Sequence, residues 1–270
     1  MLGLESFSPT QIAFGRLFIG SIALWCLVLI IRSALPSNKT VYGHLFLQAM
    51  MLNSIPGVLF ATAEQHVSSI VAGIFNGTTP LFALLATLTL FREQSPTRSQ
   101  KLGLLIGFAG VLIVLGIWEG VGQSNFVGFV LLLIAVSGYG ISFPYSRRYI
   151  IPHGVPPVTT AAIQVSFGAL QLLPFVAFSK LNSTISQQSL LAVVALGLLS
   201  TGLAYVLHFR VLAVAGAIIA STVAYWTPLV AGIAGYFLLG EGLTWREPLG
   251  AVIILLGLLV AQERLHFSRR

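Results

Sequence analysis

Residues 102–115 read LGLLIGFAGVLIVL, a run with no charge and no hydrogen-bonding side chain. A membrane β-strand would alternate polar and apolar positions, so an unbroken run of this kind excludes a barrel. A helix pairs every backbone N–H within its own segment, which is what a water-free surrounding demands. Working outward, comparable runs recur at 9–31, 42–63, 68–91, 102–118 and 126–145, then at 158–178, 189–209, 215–239 and 249–260. Each approaches the roughly 20 apolar residues a membrane crossing needs. Short connectors rich in breakers separate them, as at Pro36, Pro96 and the group Pro152, Gly154, Pro156. No stretch is left over for a soluble domain. The fold expected is all-α, a polytopic bundle of about nine transmembrane helices.

Composition agrees. Apolar residues make up 56% of the 270 positions and charged ones 8%, against roughly a quarter charged in a soluble domain. The chain has seven Glu and no Asp, and its +7 formal charge comes from 14 Lys and Arg. Those cations stand at span ends, which fits membrane orientation and not nucleic acid. Cys26, the one cysteine, cannot form an internal disulfide. Residues 1–10 carry no Lys or Arg, so the first span is expected to be a retained helix and not a cleaved signal.

Sliding the sequence by 148 residues lays Ile70, Ala72, Thr79, Pro80, Leu81, Ala83, Ala86, Leu90 and Glu93 on Ile218, Ala220, Thr227, Pro228, Leu229, Ala231, Ala234, Leu238 and Glu241. Apolar composition alone would give about two or three matches in such a window, so the chain is read as an internal duplication. Pro9 meets Pro157 and Gly20 meets Gly168 at the same offset, and Gly103 and Gly110 meet Gly250 and Gly257 one residue short of it. The expected repeats are 1–124, with four helices, and 125–270, with five. The span 126–145 has no partner, which implies a further apolar helix ahead of Met1. An odd number of helices per repeat sets the second copy upside down relative to the first, a plan common in secondary transporters. With a cytoplasmic C-terminus, eleven cations fall on the inner side and two, Lys180 and Arg246, on the outer.

The stretch 64–82, EQHVSSIVAGIFNGTTPLF, resembles the third-to-fourth helix region of the EamA-type drug/metabolite transporters, and Gly216 through Pro228 to Gly240-Glu241 resembles that family's second copy. The likeness implies a ten-helix secondary exporter of the plasma or inner membrane, of which this chain lacks the first helix. Relatives move amino acids, other metabolites and drugs. The expected partners are therefore a small-molecule substrate and the lipid bilayer, with a homodimer as a further option. No cofactor, metal or nucleic acid is expected.

Pro80 and Pro228 fall near the middles of equivalent spans. Each lacks the N–H that would meet the carbonyl four residues back, at Asn76 and Ala224, so each should bend its helix. Matched interruptions in two halves point to a midplane substrate site. Asn76, Thr78 and Thr79 cluster there in one copy, and Tyr225, Trp226 and Thr227 in the other; the hydroxyls could equally serve only the bent backbone. Arg16 lies about 10 Å into its span and either binds an anionic group or reaches back to the interface. Its repeat partner is Gln164. His208 and Glu64, the latter with His66 beside it, are candidates for ion coupling or simple anchors. Tyr139 lies between Gly138 and Gly140, which permit close helix approach. Glu93 and Glu241 occupy equivalent places on opposite faces, so helix capping suits them better than shared chemistry. There is no His-Glu-x-x-His, Cys-x-x-Cys, Gly-x-Ser-x-Gly or P-loop, and without Asp a Ser-His-Asp triad cannot form. The reading is an alternating-access exporter and not an enzyme; the alternatives are an intramembrane enzyme and a non-transporting binding or channel protein.

Overall fold

The computed structural model of the chain describes residues 6–92, 97–115, 123–179, 186–207, 210, 226–242 and 244–262. Its helices are α1 (Pro9–Ile30), α2 (Lys39–Ala49), α3 (Ile55–Ala63), α4 (Ser69–Gly77), α5 (Thr79–Thr89), α6 (Arg98–Leu115), α7 (Gln123–Tyr149), α8 (Pro157–Ala177), α9 (Gln187–Ala195), α10 (Trp226–Leu239) and α11 (Arg246–Ala261). Two π-helical segments interrupt this pattern. Met50–Ser54 joins α2 to α3, and Leu196–Leu203 continues α9. Seven helical segments among the described residues are long and apolar enough to cross a membrane, matching the first seven expected spans. Of the eighth, residues 215–225 lie outside the described residues; the ninth is α11.

Two compact units divide the chain, Met1–Thr62 with Tyr145–Ala220, and Ala63–Pro144 with Ser221–Arg270. Each therefore draws helices from both expected repeats. In the first unit α1 and α8, repeat equivalents by sequence, run antiparallel. Gln11 Nε2 donates to Ser179 Oγ at 2.9 Å, Trp25 Nε1 to Ser166 Oγ at 2.9 Å, and Ser33 Oγ lies 2.8 Å from Thr159 Oγ1. Leu17, Leu24 and Val28 pack against Ala161, Val165 and Leu172 between them. Ser8 caps α1 in a box with Gln11, satisfying amides that a helix leaves free at its start. The end of α7 belongs to this unit too: Ile150 joins Val41, Leu45 and Ile163, and Tyr145 OH lies 2.8 Å from His44 Nδ1.

The second unit repeats the principle twice. α4 lies antiparallel to α10, with Gly73 against Ala231 and Gly235 against Ile70. α6 lies antiparallel to α11 with glycine facing glycine: a β-carbon on Gly103 would sit 2.5 Å from the Gly257 carbonyl oxygen, and one on Gly110 would sit 2.9 Å from that of Gly250. In lipid the apolar side chains gain nothing by leaving their surroundings, so such close contact of small residues is what holds helices together. Gly140 of α7 packs in the same way on Phe82 of α5.

The span 68–91 is one membrane-crossing segment, Ser69–Thr89, interrupted at the single residue Thr78 as a proline-bent helix should be, and Pro80 becomes the second residue of α5, where a missing N–H costs nothing. Two expectations need correction. The span 126–145 runs on to Tyr149, so Arg147 and Arg148 occupy its last turn. Arg98 and Lys101 likewise belong to the first turn of α6 and not to a connector.

Candidate functional site

The break at Thr78 is built locally. Its backbone N–H donates to the Phe75 carbonyl at 2.9 Å and its hydroxyl to the same oxygen at 2.6 Å, while its own carbonyl accepts from Leu81 N–H at 2.9 Å. Thr78 thus does what a hydroxyl serving an interrupted backbone should do. Thr79 differs: it is buried, and its Oγ1 has no partner among the described residues. Asn76 closes α4, half-buried. The Gly73–Ala231 and Ile70–Gly235 contacts set an antiparallel register. Carried one turn further, that register brings Asn76 level with Pro228, which is buried. Trp226 begins α10 and is 66% exposed, available to a ligand or to lipid. Tyr139 is half-buried, one residue from the Gly140–Phe82 contact. Glu64 and His66 lie in the turn before α4, both half-buried and both engaged with neighbours. Tyr225 and His208 lie outside the described residues.

Glu241 does cap a helix, but not its own. Gly240 adopts a left-handed φ of 64° after α10, which turns the chain back. The Glu241 carboxylate then accepts from Ser69 N–H at 2.9 Å and Ile70 N–H at 3.0 Å, the first free amides of α4. Negative charge at a helix N-terminus also meets the favourable end of the dipole. The equivalent turn in the first repeat is Arg92, whose φ is 49°; Glu93, which follows it, lies outside the described residues.

In the unit built on α1 and α8 a second polar group is buried. Gln164 and Asn53 are both 0% exposed. Asn53 Nδ2 donates to the Gln164 carbonyl at 3.4 Å, Gln164 Nε2 to Asn53 Oδ1 at 3.3 Å, and Tyr205 OH to the same Oδ1 at 2.6 Å. Ser54 Oγ donates to Gln171 Oε1 at 2.5 Å, and Gln171 Nε2 to the Phe46 carbonyl at 2.8 Å. Gln48 Oε1 and Gln164 Oε1 are buried without partners among the described residues, as is Arg16 Nε. Of these residues sequence reasoning named only Arg16 and Gln164. A signal for Asn53 existed: with Gln48 it is one of two amides in its largely apolar span, and a polar group at membrane depth is a functional candidate by default.

The two π-helical segments are equivalents as well. Adding 148 to 50–54 gives 198–202, inside Leu196–Leu203. In both a hydroxyl lies within reach of the carbonyl five residues back, Ser54 Oγ 3.3 Å from that of Ala49 and Thr201 Oγ1 3.4 Å from that of Leu196.

Repeat-equivalent helices packed antiparallel, with matched interruptions and buried neutral polar side chains beside them, define a membrane transporter and not an enzyme. The chain belongs to the EamA-like transporter family, whose profile matches residues 2–116 and again 126–261. An uncharacterized transporter of Bacillus subtilis, YdfC, is 30% identical over 93% of this chain and 81% of its own length. The uncharacterized inner membrane transporter YedA of Escherichia coli K12 is 26% identical over 94% and 81%, and protein PecM of Dickeya dadantii is 24% identical over 90% and 81%. One solved crystal structure aligns with a TM-score of 0.67 at 18% identity, covering 94% of this chain and 88% of that one, a likeness of fold alone.

Proposed function

We propose that the chain is a secondary exporter of small amphipathic metabolites or drugs, such as amino acids with apolar side chains, working by alternating access. The observation that carries this reading is the interruption of the Pro80 span at Thr78, next to Asn76, which the register of α4 on α10 brings level with Pro228. Irregular backbone at membrane depth is tolerated where protein or a water-filled cavity receives it, and the copies differ there. Asn76-Gly77-Thr78 in one stands opposite Ala224-Tyr225-Trp226 in the other, while Thr-Pro-Leu is kept in both. A symmetric frame with unlike side chains suits an asymmetric solute. The proposed substrate-contacting residues are Asn76, Thr79, Tyr139, Tyr225 and Trp226 beside Pro80 and Pro228, with Arg16 and Gln164 as a second group and His208 and Glu64 as coupling residues. The repeats are those of 1–124 and 125–270.

Saturable, substrate-competed flux in proteoliposomes tests the reading and separates a carrier from a channel or an enzyme. Asn76→Ala and Trp226→Ala should each raise the apparent KM by a factor corresponding to about 1–3 kcal/mol. Pro80→Ala should act on turnover more than affinity, and Arg16→Gln should abolish flux with insertion intact. Unchanged apparent affinity in both alanine variants would remove the proline-flanked site. The charge asymmetry supports a cytoplasmic C-terminus. A fluorescent reporter fused after Arg270 should therefore mature, and a periplasmic phosphatase fused there should stay inactive; the opposite pair of results overturns the orientation.

A further inference from the structure

We infer that Asn53, Gln164 and Tyr205 form a hydrogen-bond-accepting ligand site, and that it takes an N–H or O–H group of a small molecule carrying no net positive charge. The inference rests on the transporter reading and names the chemistry of its solute.

The direction of the network decides which atom is offered. A backbone carbonyl can only accept, so the approach of Asn53 Nδ2 to the Gln164 carbonyl fixes the orientation of the Asn53 amide. Its Oδ1 must then accept, and it does so from both Tyr205 OH and Gln164 Nε2. Turning the Gln164 amide over would set oxygen against oxygen. Its Oε1 is therefore the one atom of the network left over, fully buried and without a partner among the described residues. A buried acceptor left unmet is costly, and native structures rarely keep one without a use.

The backbone points to the same place. Asn53 lies within one π-helical segment and Tyr205 two residues beyond the other. Such single-turn bulges recur at functional sites because the widened turn re-aims side chains and loosens the regular ladder. Here they stand at equivalent positions of the two repeats, the kind of paired interruption that marks a transporter's site.

Charge narrows the ligand. Among the described residues of this unit there is no Asp or Glu, while Arg16, Arg32, Lys39, Arg147, Arg148 and Arg210 all belong to it. A net cation would meet like charge in these residues, whereas an alcohol, an amide, an indole or a zwitterion carries no net charge to be repelled.

Three matched probes test this on the purified full chain: L-leucine against its N,N,N-trimethyl betaine, benzyl alcohol against benzyl methyl ether, and indole against 1-methylindole. Within each pair net charge is kept and the donor is removed, at the cost of one added methyl group for the alcohol and the indole and three for leucine, so the first two pairs carry the comparison. At least one donor-bearing probe should bind about tenfold more tightly than its methylated partner, and Gln164→Met should erase that preference. Equal binding within every pair, a preference that survives Gln164→Met, or no binding by any donor-bearing probe overturns the inference. Should Gln164→Met not fold, Gln164→Glu keeps the acceptor and adds charge, so phenethylammonium should bind at least tenfold more tightly than to the wild type; no gain also overturns it. Absent flux in proteoliposomes with donor preference retained would sink the carrier reading and leave the site standing.

Discussion

Replacing Gly257 by leucine should abolish recovery of folded, monodisperse protein. A β-carbon there would collide with the Gly107 backbone nitrogen and sit 2.7 Å from both the Gly103 carbonyl oxygen and the Gly107 α-carbon. All three are backbone atoms of α6, which cannot swing aside as a side chain can. The helices would have to separate, and separation removes the van der Waals contact that holds them in lipid. Overpacking costs about 1–3 kcal/mol where side chains can adjust, and more when backbone must move. Against the roughly 5–15 kcal/mol by which folded proteins are stable, a loss at or above the top of that range is severe. Gly232→Leu is the control, since nothing lies within 4 Å of a β-carbon at that place in α10. Size-exclusion profiles and melting of both variants in detergent make the comparison. A Gly257→Leu protein that purifies and melts like the wild type would refute the glycine-to-glycine packing of α6 and α11.

The second large effect is expected at Glu241. The carboxylate holds two amides of α4 from the far end of α10, so it ties two antiparallel helices together where their own packing ends. Hydrogen bonds to a charged partner contribute about 1.5–3 kcal/mol each. Glu241→Gln keeps the shape but replaces one accepting oxygen by a donor that faces an N–H, and it removes the charge favoured at the helix N-terminus. A loss of about 2–3 kcal/mol should follow, read as a lower melting midpoint and faster proteolysis at the turn 64–68. Glu247→Gln is a suitable comparison: that carboxylate accepts from Thr244 at the start of its own helix and, among the described residues, joins no second helix. If Glu241→Gln melts with the wild type, the carboxylate is an ornament of the turn and not a tie between helices.

Arg16 and Gln164 show how far residue type carries a reading and where it stops. Both are polar at membrane depth, and that alone singled them out. The network around Gln164 was out of reach: Asn53 is 111 residues from Gln164 and 152 from Tyr205, and neither distance leaves a trace in local pattern. The capping role of Glu241 was legible from the repeat, since equivalent residues on opposite faces cannot share one chemistry. That the capped helix would be α4 was not, because the contact spans 172 residues.

By itself the sequence determined the helices, the duplication and the antiparallel relation of its copies. A backbone without water must bond to itself within each apolar run, and an odd helix count inverts the second copy. It also marked Gly103, Gly110, Gly250 and Gly257 as equivalents, though not that they would meet. Tertiary structure alone decided that the repeats are shared out between two compact units and that Met50–Ser54 and Leu196–Leu203 widen into π-turns. In both π-turns a hydroxyl of the same segment, Ser54 or Thr201, reaches the carbonyl five residues back. Which of the many Ser and Thr of the chain do so depends on packing between distant segments, and no local periodicity records it.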